Sequence, residues 1–74
     1  MSSSRDYVII IEEGPTSWGA YAPDLPGCAA VADTRAEVEA LIREAVEFHI
    51  EGLRLSNQPI PLPKSEASHI RVAA

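Results

Sequence analysis

Residues 7–11 read Tyr-Val-Ile-Ile-Ile, an apolar run without a break that halts at Glu12-Glu13-Gly14-Pro15. A β-branched and aromatic run bounded by turn residues predicts a first strand. Residues 17–22, Ser-Trp-Gly-Ala-Tyr-Ala, come after the short Gly-Pro turn and predict a second strand, antiparallel to the first. Alternation puts Trp18, Ala20 and Ala22 on one face and Gly19 and Tyr21 on the other. Next come Pro23, Asp24, Leu25, Pro26 and Gly27. Each proline fixes its own φ and biases its predecessor away from helix, so this segment predicts a tight, stiff turn. Residues 28–32 predict a third short strand of small side chains.

From Thr34 the period changes. Thr34-Arg35-Ala36-Glu37 places a capping hydroxyl three residues before a carboxylate, the signature of a helix N-terminus, and Asp33 adds negative charge at the positive end of the dipole. At 100° per residue, Val38, Leu41, Ile42, Ala45, Val46 and Leu53 fall in one stripe, opposite Arg43, Glu44, Glu47, Glu51 and Arg54. The pattern predicts an amphipathic helix of about five turns, with Glu39 and Arg43 spaced to pair on its exposed face. Prolines at 59, 61 and 63 forbid helix in residues 56–65, which predict an extended connector. Residues 68–72, Ser-His-Ile-Arg-Val, alternate and predict a last edge strand.

The predicted order is β-β-β-α-β, an α+β fold with three antiparallel strands, a fourth delivered by the helix, and one helix on one sheet face. The first strand is apolar on both sides, Tyr7, Ile9 and Ile11 on one and Val8 and Ile10 on the other. The face carrying Val8 and Ile10 therefore needs cover that one helix cannot supply, and a second copy of the chain or a partner protein is expected there.

Length and charge sharpen this picture. Seventy-four residues make a single domain, 1–74, and a chain of this size buries only roughly 60% of the surface it exposes when unfolded, so self-association is expected. Eleven acidic against six basic residues, a formal charge of −5, disfavour nucleic acid and anionic membranes as direct ligands. With 46% hydrophobic and 23% charged residues the chain should fold rather than stay disordered, apart from residues 1–6, expected to be disordered. The N-terminal residues lack the apolar stretch of a signal peptide and no run approaches a membrane span, so a cytoplasmic protein is expected.

Candidate chemistry is sparse. Cys28 is the one thiol and reads as a small core residue rather than a nucleophile. His49 falls within the apolar stripe, where packing is the plainer reading than catalysis, and His69 lies on the last strand. No metal-ligand spacing, phosphate-cradling glycine pattern or cofactor motif occurs, so no catalytic residue, metal or cofactor is expected. Glu12 and Glu13 at a hairpin end and Asp24 in the proline turn are the carboxylates placed to meet a partner or, as a remote option, a metal. For all three, a solvated or architectural role is the bland alternative.

The stretch from Trp18 through Pro23-Asp24-Leu25-Pro26-Gly27-Cys28, then Asp33-Thr34 opening a helix with Glu37 and Glu44-Ala45, then Ile60-Pro61-Leu62-Pro63, resembles the HicB family. These are the antitoxins of HicA/HicB toxin–antitoxin modules and their solitary relatives. The resemblance implies a partial ribonuclease-H-like fold, homodimers or larger oligomers, and binding to a small basic HicA-type toxin that cleaves RNA, whose active site the antitoxin occludes. Longer family members carry a C-terminal DNA-binding segment; this sequence stops at Ala74, so that segment is not expected. The family's usual glycine before the Asp-Thr pair is Ala32 here. Two readings are open, a toxin-neutralising antitoxin domain or a solitary oligomeric scaffold or ligand-binding domain, with a minimal nuclease as a residual third.

Overall fold

The computed structural model describes residues 5–74. Three strands, β1 (Ile10–Glu13), β2 (Trp18–Tyr21) and β3 (Ala29–Ala32), precede one helix, α1 (Arg35–Leu55). The sheet order is β1-β2-β3, with both neighbouring pairs antiparallel. Ile10 stands opposite Tyr21 and Glu13 opposite Trp18, while Trp18 and Tyr21 face Ala32 and Ala29 across the next ladder. The α+β class and the antiparallel meander are thus as the pattern predicts.

Register sorts the two sheet faces. Ile11, Ala20 and Ala30 lie in one row and Trp18 and Ala32 in the next, all packed towards the helix. The helix contributes Val38 and Ile42, fully buried, with Ala45, Val46 and Ile50 partly covered beside them. Leu41, placed in the apolar stripe by helical spacing, is instead exposed. Three strands make a sheet narrower than the stripe, so its edge reaches past the sheet.

Regular pairing starts at Ile10, three residues later than the sequence suggests. Continued past Ile10 and Tyr21, the register sets residues 7–9 against residues 22–24, where the chain leaves β2 for the proline corner. Ala22 donates its N–H to Cys28 O (3.1 Å) and Pro23 has none to give, so Tyr7, Val8 and Ile9 find no ladder. In the corner, Leu25 N–H donates to Ala22 O (3.1 Å) and Cys28 N–H to Leu25 O (3.0 Å). Gly27 turns the chain at φ +81°, a left-handed conformation that glycine adopts without strain.

Both helix ends are closed. Thr34 Oγ1 accepts the Glu37 N–H (3.1 Å) and donates to Glu37 Oε1 (3.0 Å), so the predicted cap residues meet as expected. At the other end Asn57, at φ +56°, lets Gln58 N–H reach Leu53 O (2.9 Å) and Asn57 N–H reach Arg54 O (3.1 Å), the two bonds of a Schellman stop. Glu39 pairs with Arg35 (3.0 Å), one turn before it, rather than with Arg43 as expected; with both side chains about half exposed the pair contributes only a few tenths of a kcal/mol.

Beyond the helix the structure differs from the sequence expectation. Residues 58–74 have no regular structure, and residues 68–72, expected as a fourth strand, pair with no strand among the described residues. Every residue from 66 onward is exposed. A strand exists only where a neighbour accepts its hydrogen bonds, and the course of the connector leaves this segment without one. The expectation for residues 1–6 falls, for 1–4, outside the described residues.

Candidate functional site

The proline corner is built from the inside out. Leu25 is 0% exposed and joins Ala22, Cys28, Val38 and Ile42 in the core, so the Pro-bracketed turn inserts a large side chain under the helix. Next to it Asp24 uses both carboxylate oxygens: Oδ2 accepts the N–H groups of Lys64 and Ser65, each at 2.9 Å, and Oδ1 accepts the Ser65 hydroxyl at 2.9 Å. The Ser65 and Lys64 backbone donors hold the Asp24 carboxyl below its ordinary value of 3.8. A second tether lies nearby, where the Tyr7 hydroxyl donates to Pro61 O. Together they fasten the connector across the end of the sheet.

The three acids singled out in the sequence are not brought together. Glu13 is opposite Trp18 at the hairpin end, whereas Asp24 lies beyond Tyr21 at the other end of the same strand. The Glu12 and Glu13 side chains are exposed and hold no hydrogen bond or ion pair among the described residues, while Asp24 is engaged with residues 64 and 65. Among the described residues no three His, Cys, Asp or Glu side chains are grouped to hold a metal ion.

The register sets Ile10, Glu12, Gly19, Tyr21, Ala29 and Val31 on the sheet face away from the helix. Val31 is 68% exposed and Tyr21 also stands open, so this apolar face is uncovered. Two grooves flank the helix. One, of about 440 Å³, is lined by Cys28, Phe48, His49 and Leu53, with Phe48 exposed; burial pushes the Cys28 thiol above its ordinary value of 9.0. His49 lines this groove from the helix, and His69 is exposed on the outlying segment. The other, of about 430 Å³, runs between the β1 edge and the helix over Tyr7, Ile9, Ile11 and Val46, with Glu39, Arg43 and Glu47 on its rim. The helix side facing water carries Glu37, Glu39, Glu44 and Glu51, all exposed.

Residues 7–73 match the family described as HicB-like antitoxin of bacterial toxin–antitoxin systems. The chain belongs to this family. The HicB-like domain is 36% identical over 55 residues to an uncharacterized 14.9 kDa protein from the rep-hol intergenic region of Haemophilus phage HP1, covering 74% of this chain and 41% of the phage protein. It is 37% identical over 57 residues to a UPF0150 protein of Synechocystis sp., covering 76% of this chain and 72% of that protein. The chain thus spans about two fifths of the phage relative's length. No solved structure matches it. The family match runs through the outlying residues 66–73, which makes that segment part of the HicB-like domain rather than an appendage. No helix among the described residues is long and apolar enough to cross a membrane.

Sequence reasoning missed the Asp24 clamp and the Tyr7 tether. Their partners lie 41 and 54 residues away along the chain, and no local pattern announces such a contact.

Proposed function

We propose that this HicB-like domain is the neutralising half of a toxin–antitoxin pair: it binds a small basic HicA-type RNA-cleaving toxin and occludes its active site, making and breaking no bonds of its own. Family membership over residues 7–73 carries the reading. The charge of −5 supports it, since an acidic surface speeds encounter with a basic mate. Glu12 and Glu13 are the carboxylates we assign to the toxin contact, since both are exposed. Asp24 contributes by holding the connector at the opposite end of the sheet from Glu12 and Glu13, rather than by presenting a free charge. The open face carrying Val8 and Ile10 is covered, on this reading, by a second copy of the chain.

Co-expression with the small basic open reading frame nearest its gene tests the pairing. The toxin should arrest growth alone and be silenced, in a stoichiometric complex, by the domain. Reversing Glu12 and Glu13 together to Lys should slow association and flatten its salt dependence, as removal of rim charges does. A toxin bound with unchanged rate and salt dependence would show that these residues are not the contact, and the absence of any complex would remove the antitoxin reading.

A further inference from the structure

Ile70 and Val72 share one side of the alternating segment at 68–72 and are 84% and 72% exposed. An extended segment with unpaired backbone and bare apolar side chains is half of a sheet contact. The other half stands at β1, which pairs with β2 alone, so the outer edge of residues 7–13 has no strand beside it among the described residues. Along that edge lies the groove over Tyr7, Ile9, Ile11 and Val46.

The chain's own segment does not fill this groove. The Asp24 bonds to residues 64 and 65 and the Tyr7 bond to Pro61 fix the connector, and residues 66–74 beyond it are exposed throughout. The accessible surface, 6084 Å², exceeds by about 1,600 Å² that of a compact protein of this mass. The radius of gyration, 14.2 Å, compares with about 11 Å for a compact chain of this length. Charge points the same way: ten acidic and four basic residues lie within 1–63, while Lys64 and Arg71 outnumber Glu66 in the remainder.

We propose that residues 68–72 of one copy add as a strand to the β1 edge of a second copy, reciprocally, with Ile70 and Val72 seated over the groove and Arg71 on the side of Glu12. Strand addition supplies the backbone bonds that both elements lack, and a twofold exchange closes without leaving a free edge at β1. The proposal rests on the self-association part of the reading above and is independent of any toxin.

Sedimentation velocity on the full chain at micromolar concentration tests it with two variants. The wild type should be dimeric or larger. Ile70→Asp with Val72→Asp should weaken the strand-exchanged contact by on the order of a hundredfold, since each apolar side chain now fails to bury, with the 222 nm signal of the helix retained because both residues lie outside the core. Val31→Glu, on the open sheet face, should leave that contact intact. Unchanged assembly of the double variant beside a monomeric Val31→Glu would overturn strand exchange while keeping association through the open face; a monomeric wild type would overturn both. Isotope-filtered contacts between labelled and unlabelled copies should connect the Ile70 and Val72 methyls to Ile9 and Val46. Finding those contacts only within one chain would place the segment in its own sheet and defeat the exchange.

Discussion

Replacing Leu25 by alanine tests the central claim about the proline corner. Of the six fully buried core residues among those described, Leu25, Val38 and Ile42 are the large ones, so this substitution empties about a third of the bulk at the centre of the core. Buried Leu→Ala changes cost about 2–5 kcal/mol, the spread reflecting how far the site collapses. Collapse is hindered here, because Pro23 and Pro26 hold the backbone on both sides. We therefore expect about 3 kcal/mol. A chain of this length has roughly 4–11 kcal/mol in all, so the variant keeps between about a quarter and about three quarters of it, with Tm lower by about 12–24 °C. Urea unfolding followed by Trp18 fluorescence and far-UV circular dichroism, at one fixed chain concentration because association shifts apparent stability, gives the number. Leu62→Ala is the matched control: at 61% exposure it should cost under about 0.5 kcal/mol. A loss below about 1 kcal/mol at Leu25, or one equal to that at Leu62, would refute the view that the corner anchors the core.

Local geometry sets three further outcomes. Thr34→Ala should cost about 1 kcal/mol in the same assay, because Glu37 N–H loses its acceptor, while Thr34→Ser should recover most of it; equal losses for both would deny the cap. Asn57→Gly should be neutral or stabilising and Asn57→Val should cost about 1–2 kcal/mol, since a branched side chain opposes the left-handed conformation at φ +56°; a harmless valine would mean that the stop does not form. The Asp24 carboxyl, held below 3.8 when folded, titrates at a higher pH when unfolded, so its contribution is present above about pH 4 and is lost as pH falls through the folded value. Carbon-detected titration should place its midpoint below 3.8, and Asp24→Asn should speed exchange of the Lys64 and Ser65 amides at neutral pH; a midpoint at or above 3.8, or unaltered exchange, would show that the clamp does not persist in solution.

The parts of the fold legible in the sequence are those set by neighbours along the chain. The antiparallel sense of the hairpin, the proline corner and the Thr34–Glu37 cap each depend on residues within a few positions of one another and stand in the structure as the pattern predicts, although the first strand runs over 10–13 rather than 7–11, with Glu12 and Glu13 paired to Gly19 and Trp18. The elements that differ depend on sheet width and on the path of the connector. Leu41 is exposed because the sheet beneath the helix has three strands, and residues 68–72 stand apart because Asp24 and Tyr7 route the preceding chain over the sheet end. The separation of Glu13 from Asp24 is within reach of sequence alone, since pairing Glu13 with Trp18 in an antiparallel hairpin necessarily sends Asp24 beyond the other end.

The corner explains why one short element can matter both to folding and to contact with other proteins. Leu25 points inward and is sealed by the helix; Asp24, its neighbour, turns to the surface and takes the backbone of residues 64 and 65. A rigid backbone with two prolines and a left-handed glycine fixes the angle between these adjacent side chains, so core packing determines where the connector is held. A flexible turn would pack Leu25 as well but let Asp24 wander, and the segment after it would sample its own sheet edge as readily as any other. Stiffness at the corner thus converts a local packing event into a direction for residues 66–74, which holds the exposed segment 68–72 apart from the outer edge of β1 among the described residues.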